Sequence, residues 1–171
     1  LPQEAGLVRG RALVVGDNVD TDTIIPARYL HSTDPRELAR HVFEDAPGIR
    51  ARLDGLEKPV VIVAGRGFGY GSSREHAVLA LKAAGVAAVV AESFHRIFYR
   101  NALNNGLPVV EASLRGSTRD GSLVEIDLET GEIRVDGRLA ARARPLPPML
   151  RRLLAAGGLR EELRRLAAGS G

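Results

Sequence analysis

Between residues 65 and 75 the chain reads Gly-Arg-Gly-Phe-Gly-Tyr-Gly-Ser-Ser-Arg-Glu. Glycines at 65, 67, 69 and 71 let a backbone bend close around something small. Ser72, Ser73 and Arg74 follow where the pattern predicts a helix to begin. Hydroxyls, a guanidinium fork and the open amide groups of a helix N-terminus together suit a small anion such as a carboxylate. A plainer reading is that Ser72, three residues before Glu75, only caps that helix as half of a capping box. Capping needs neither the glycine series nor Arg74, so it leaves most of the motif without a purpose. Two better-known anion loops are absent: Tyr70 breaks G-x-G-x-x-G, and no G-K-[ST] occurs. The G-x-S-x-G elbow of serine hydrolases is missing as well.

A second polar cluster, Asp17-Asn18-Val19-Asp20-Thr21-Asp22, lies in an expected turn. Its spacing misses the calcium-loop pattern, and acids in turns commonly cap backbone amides. His76 and His95 fall within expected helices, where packing or hydrogen bonding is the simpler role.

These groups need elements to hold them. Residues 11–15 and 60–64 read as strands, the second apolar throughout and so buried on both faces. A helix over 73–84, stopped by Gly85, leads to another buried strand at 86–91. The β-α-β unit so formed implies a parallel pair with a right-handed crossover. A second helix over 95–105 ends at Gly106 and precedes a strand at 107–111. Upstream, Asp34-Pro35 predicts a helix start that runs to about residue 44, whereas 46–56 carries no clear signal. Alternation over 122–128 and 132–135 around Thr130-Gly131 predicts an antiparallel hairpin. After Pro145, Pro147 and Pro148, two short amphipathic helices flank Gly157-Gly158, with arginines at 151, 152, 160, 164 and 165 on a solvated face. The sum is an α/β fold with parallel and antiparallel parts, read as a single unit over 1–171 with a C-terminal helical segment at about 147–168.

The 171 residues include 44% hydrophobic ones, enough for a buried core, and no cysteine. Disulfides and thiolate metal sites built from this chain alone are thereby excluded. A net charge of +3 is too mild to argue for nucleic acid. No signal-like or membrane-spanning run is evident, so the expectation is a cytoplasmic protein with neither nucleic-acid nor membrane partners.

Three segments carry a resemblance. Gly71-Ser72-Ser73-Arg74-Glu75-His76-Ala77, the run 19–26 (Val-Asp-Thr-Asp-Thr-Ile-Ile-Pro) and the run 94–101 (Phe-His-Arg-Ile-Phe-Tyr-Arg-Asn) resemble, in order and spacing, the motifs of the aconitase swivelling domain. They are most similar to its free-standing form, the small subunits of 3-isopropylmalate dehydratase and homoaconitase. The similarity is strong over 11–111 and looser over 146–164. It implies a three-layer β/β/α swivelling fold with a mixed sheet. It also implies a separate aconitase-like large subunit, which would hold a 4Fe-4S cluster by three cysteines and leave one iron open as a Lewis acid.

By that resemblance this chain is half an active site of a hydro-lyase that isomerises a substituted malate through an alkene. The preferred reaction interconverts 2- and 3-isopropylmalate in leucine synthesis; homoaconitase in lysine synthesis, or another substituted-malate dehydratase, is the alternative. Ser72 would act as the base, its alkoxide favoured by the helix N-terminus, Arg74 and nearby amides. Ser73 would bind a substrate carboxylate, Arg74 would clamp one, and Asp22 would pair with a catalytic group. The loop 28–35 would read the variable side chain of the substrate. An arginine after Tyr-Leu goes with an extra carboxylate, and an apolar residue goes with isopropyl. Here His31 stands at that place, with Arg28 nearby as another possible cation. Arg96 and Arg100, four apart, would face a subunit interface. Two rival readings from other classes are an anion- or nucleotide-binding module without catalysis and an inactive regulatory relative. The first lacks an acidic ribose-binding residue at the expected offset, and the second does not need all of Ser72, Ser73 and Arg74.

Overall fold

A computed structural model describes residues 6–71 and 74–169. The expected Ser72 and Ser73 therefore lie outside the described residues. One seven-stranded sheet runs through the chain in the order β4-β3-β2-β1-β5-β6-β7. Its parallel half consists of β1 (Leu7–Val14), β2 (Val60–Ala64), β3 (Val86–Ala91) and β4 (Val109–Glu111). Its antiparallel half consists of β5 (Leu123–Asp127), β6 (Glu132–Val135) and β7 (Arg138–Arg142) joined onto β1.

The pattern Val-Val-Ile-Val-Ala of β2 is buried at every position, as a central strand covered on both faces must be. Val60, Ile62 and Ala64 enter one core cluster, while Val61 and Val63 enter the other. The first cluster lies under α1 (Thr21–Ile24), α2 (Pro35–His41), α3 (Pro47–Gly55), α4 (Glu75–Ala83) and α5 (Arg96–Asn104). The second joins Val61, Val63, Ala88 and Val90 to Val124, Ile126, Ile133 and Val135 of the antiparallel half. The sheet therefore curls over its own second face, giving helix, parallel-sheet and antiparallel-sheet layers as the resemblance implied. Two further helices, α6 (Pro148–Ala156) and α7 (Leu159–Gly169), follow the prolines, with Gly157 left-handed at the end of α6.

Several expected boundaries move. Strand β1 begins at Leu7 rather than residue 11, because its start pairs with β5. Helix α2 stops at His41, where the chain turns so that Phe43 (φ 57°) is fully buried and its N–H donates to Ile24 O at 2.9 Å. Segment 47–55 is a helix whose only buried residue is Leu53, which explains its faint signal. Strand β7 lacks β-branched residues and forms a sheet edge, yet Asp136-Gly137 before it has positive φ at both positions (50° and 83°). That is the preference of a tight hairpin turn, and the dipeptide is a readable signal for one. Helix α4 starts at Glu75 with Arg74 in the cap position, and no side chain among the described residues caps it. Glu75 is thus the first helical residue, and the capping box read with Ser72 lies outside the described residues.

Candidate active site

The three strands β1, β2 and β3 are parallel, and the loops leaving their C-terminal ends run side by side. Gly65 N–H donates to Gly16 O (3.1 Å), Asn18 N–H to Arg66 O (2.7 Å), Gly69 N–H to Val19 O (2.8 Å) and Thr21 N–H to Tyr70 O (2.8 Å). On the other side, Glu92 N–H donates to Gly65 O (3.0 Å), Phe68 N–H to Ser93 O (3.1 Å) and His95 N–H to Phe68 O (2.9 Å). The glycine loop is thus an irregular continuation of β2 held between two neighbours. Ligands of open α/β sheets collect at this end of the strands.

Glycine is required here by close approach as well as by φ. A Cβ on Gly65 would lie 1.8 Å from Asp17 Oδ1, and one on Gly69 (φ +83°) would lie 2.2 Å from the Phe98 ring. Phe68 is fully buried and meets Phe98 and Phe94 edge-on at 5.3 and 6.0 Å. Asp17 accepts from Arg66 N–H at 2.8 Å and pairs with Arg115 at 3.0 Å. That backbone bond first, and the Arg115 and Arg66 charges after it, hold its carboxyl below the usual range. Asp17 accordingly pins the loop.

Of the other acids in the turn, Asp20 caps α1 by accepting from Thr23 N–H at 2.6 Å. Asp22 accepts from Ala27 N–H at 3.0 Å and remains exposed. Asp22 and Arg74 line one small cavity of about 40 Å³ with Thr21, Ile25, Ala27, Leu30 and Ala77. Arg74 and Ala77 belong to the cap and first turn of α4, so the positive end of that helix faces the same space. Ser72 and Ser73 stand in the chain between Gly71 and Arg74. His76 Nδ1, also in the first turn, is buried without a hydrogen-bond partner among the described residues. His95 caps α5 by position and sets its ring edge-on to Tyr70 at 6.2 Å.

The loop after α1 carries Arg28 and His31, the residues expected to read the substrate's variable side chain. Neither Arg28 nor His31 lines the cavity. Arg28 donates to both oxygens of Asp45 (3.0 and 2.6 Å) and to Glu44 (2.7 Å). His31 is exposed, and its Nδ1 donates to the Arg28 carbonyl at 3.0 Å. Tyr29 OH donates to Glu44, and His41 Nδ1 donates to the other oxygen of that carboxylate at 3.0 Å. These bonds, Tyr29 first, then His41 and Arg28, lower the Glu44 pKa to about 2. Hydrogen bonding to Arg28 lowers Asp45, and bonding to Asp45 raises Arg28. Sequence reasoning missed Tyr29, His41, Glu44 and Asp45, because no local pattern ties residues 44 and 45 to residue 28.

Larger cavities of about 520 and 710 Å³ lie beside α4, α5 and α7 and beside β4, but they gather none of the expected site residues. The donor set of this chain does not fit an iron–sulfur cluster. Cysteine is absent, and no group of three or more His, Asp or Glu residues able to hold a metal occurs among the described residues.

Comparison with known proteins places this geometry in a family. Residues 18–113 match the model of the aconitase C-terminal domain. The chain is 52% identical over 155 residues to the 3-isopropylmalate dehydratase small subunit of Nautilia profundicola, covering 90% of this chain and 92% of that relative. It is 51% identical over 162 residues to small subunit 1 of the same enzyme from Methanopyrus kandleri, covering 93% and 94%. The crystal structure of 3-isopropylmalate dehydratase from Methanocaldococcus jannaschii superimposes with a TM-score of 0.82 at 42% identity, covering 96% of this chain and 99% of that one. The chain therefore belongs to the aconitase C-terminal domain family and, within it, to the free-standing small subunits of the 3-isopropylmalate dehydratase type.

Proposed function

We propose that this chain is the small subunit of a hydro-lyase that interconverts 2- and 3-isopropylmalate by dehydration and rehydration, a step of leucine synthesis. The observation that carries the reading is the joint lining of one cavity by Asp22 and Arg74, at the start of α4 and beside the Ser72-Ser73 pair in the chain. A substituted malate offers two carboxylates and a weakly acidic C–H. Arg74 supplies a planar fork for a carboxylate, and the N-terminus of α4 adds a positive field. Ser72 is the base that takes the proton, Ser73 binds a carboxylate, and Asp22 orients a catalytic group. Leu30, Ile25 and Ala27 present an apolar wall to the substrate's variable side chain. That wall favours isopropylmalate over the homocitrate-type substrate of homoaconitase.

The family relation suggests an iron–sulfur cluster, and the same proposal puts it on a separate large subunit, a reading that the lack of thiolate donors on this chain supports. The chemistry such a group supplies is Lewis-acid polarisation of a substrate oxygen. The residues of this chain bind, orient and move the proton. The reading is tested by combining the chain with a cluster-loaded large subunit under anaerobic conditions and following alkene absorbance. Turnover of isopropylmalate by the mixture and by neither part alone is expected. Stable association with no turnover of any substituted malate counts against the reading.

A further inference from the structure

Ala27 and Leu30 line the cavity, whereas Arg28 between them does not. The guanidinium instead turns toward the chain just past α2, where it spends three hydrogen bonds on Glu44 and Asp45. The clamp is braced from its own side. Tyr29 stacks flat on His41 (3.7 Å between centroids, 3° between planes), and both donate to Glu44. The Arg28 guanidinium carbon sits over the Tyr29 ring at 4.9 Å. The acid pair reaches this position because the chain leaves helix α2 at His41, and the buried Phe43 ties back to Ile24 at the end of α1. His31 is likewise directed away, donating to the Arg28 carbonyl.

We propose that Glu44 and Asp45 determine which substrate side chain is accepted, by holding the Arg28 guanidinium away from the cavity. The inference rests on the reading of the chain as part of a substituted-malate dehydratase. With Arg28 held, the variable group of the substrate meets Leu30, Ile25 and Ala27. An alkyl group gains contact there. A carboxylate finds no cation on this loop, loses its hydration and approaches the negative charge of Asp22. Were the two acids uncharged, Arg28, one residue from the cavity wall, would be free to form a bidentate pair with such a carboxylate. Glu44 and Asp45 touch no substrate and act through Arg28, so they are positioning residues.

The test uses E44Q/D45N in the reconstituted complex, with 3-isopropylmalate and a malate carrying a carboxyalkyl group in place of isopropyl. The expected result is a rise of about tenfold or more in the ratio of kcat/KM for the carboxyalkyl substrate over that for isopropylmalate. The rise should be carried mainly by KM for the carboxyalkyl substrate, and adding R28A to the pair should abolish it. A second readout is the side-chain NMR signal of Arg28, which should be restrained in the wild-type chain and averaged in E44Q/D45N, with circular dichroism checking that the fold persists. An unchanged ratio with Arg28 released overturns the proposal, as does an Arg28 that stays restrained without the two charges. Equal loss on both substrates would reveal a merely structural role and overturn it too. A wild-type complex that turns over no substituted malate refutes the underlying reading, and this proposal falls with it.

Discussion

Ser72 and Arg74 carry the chemistry in the proposed reaction, and they fail in different ways when changed. Ser72→Ala removes the proton acceptor at the cost of a single hydroxyl, so association with the large subunit should persist. The kcat of the complex should fall on the order of 10²–10⁴-fold. Near-normal turnover in that variant would remove Ser72 as the base. Arg74→Lys keeps the charge but not the fork, and kcat/KM should fall about tenfold or more. Among the surface groups, Glu44 offers a pH signature. Its folded pKa of about 2 lies below the ordinary value of 4.5. Its contribution to stability is therefore complete above about pH 4.5 and is lost as pH falls through about 2. Thermal melts of wild type and Glu44→Gln should differ at neutral pH and converge as pH approaches 2. A difference that is constant across that window would contradict the lowered pKa.

At the scale of elements, the glycine loop is positioned by contacts it makes with two neighbouring loops rather than by any regular structure of its own. Gly69 is the position where this matters most, since its φ is +83° and an added methyl would meet the Phe98 ring. Gly69→Ala should destabilise the chain by about 2–5 kcal/mol, combining left-handed strain with overpacking. Phe98→Ala, which empties the wall behind the same glycine, should cost about 3–5 kcal/mol. Both are read by denaturant unfolding of the isolated chain. If Gly69→Ala unfolds at the wild-type midpoint, the loop is not packed on α5 as described. At the start of α4, Arg74 in the cap position and Ala77 in the first turn both line the cavity, so the positive end of the helix dipole faces it.

For the molecule as a whole, the parallel order of β1, β2 and β3 brings three separate stretches of sequence to one end of the sheet. The curl of the antiparallel half then fills the opposite face, so the sheet is buried on both sides, while Asp22 and Arg74 line a small cavity at its strand ends. Such a surface displays binding groups without enclosing them, as expected of half a site. The isolated chain should show no dehydratase turnover at any substrate concentration, and activity should saturate as large subunit is added. Turnover by this chain alone would mean that the site is complete without a partner.

The amino-acid sequence by itself determined the centre of the fold and supplied the candidate reactive groups. The apolar runs at 60–64 and 86–91 can only be strands buried on both faces, and both strands have those bounds. Gly85 and Gly106 marked helix ends because residues with positive φ are costly for anything else. Helix α3 stayed hidden because it buries one side chain, and β7 because an exposed edge needs no β-branched residues. Tertiary structure alone decided what each charge does. Three nearby acids became a loop anchor (Asp17), a helix cap (Asp20) and a cavity wall (Asp22). Arg28, readable only as a cation near the substrate loop, found its partners 16 and 17 residues away. Propensity and periodicity are local and survive in the sequence. The partner of a long polar side chain depends on where packing brings distant segments together.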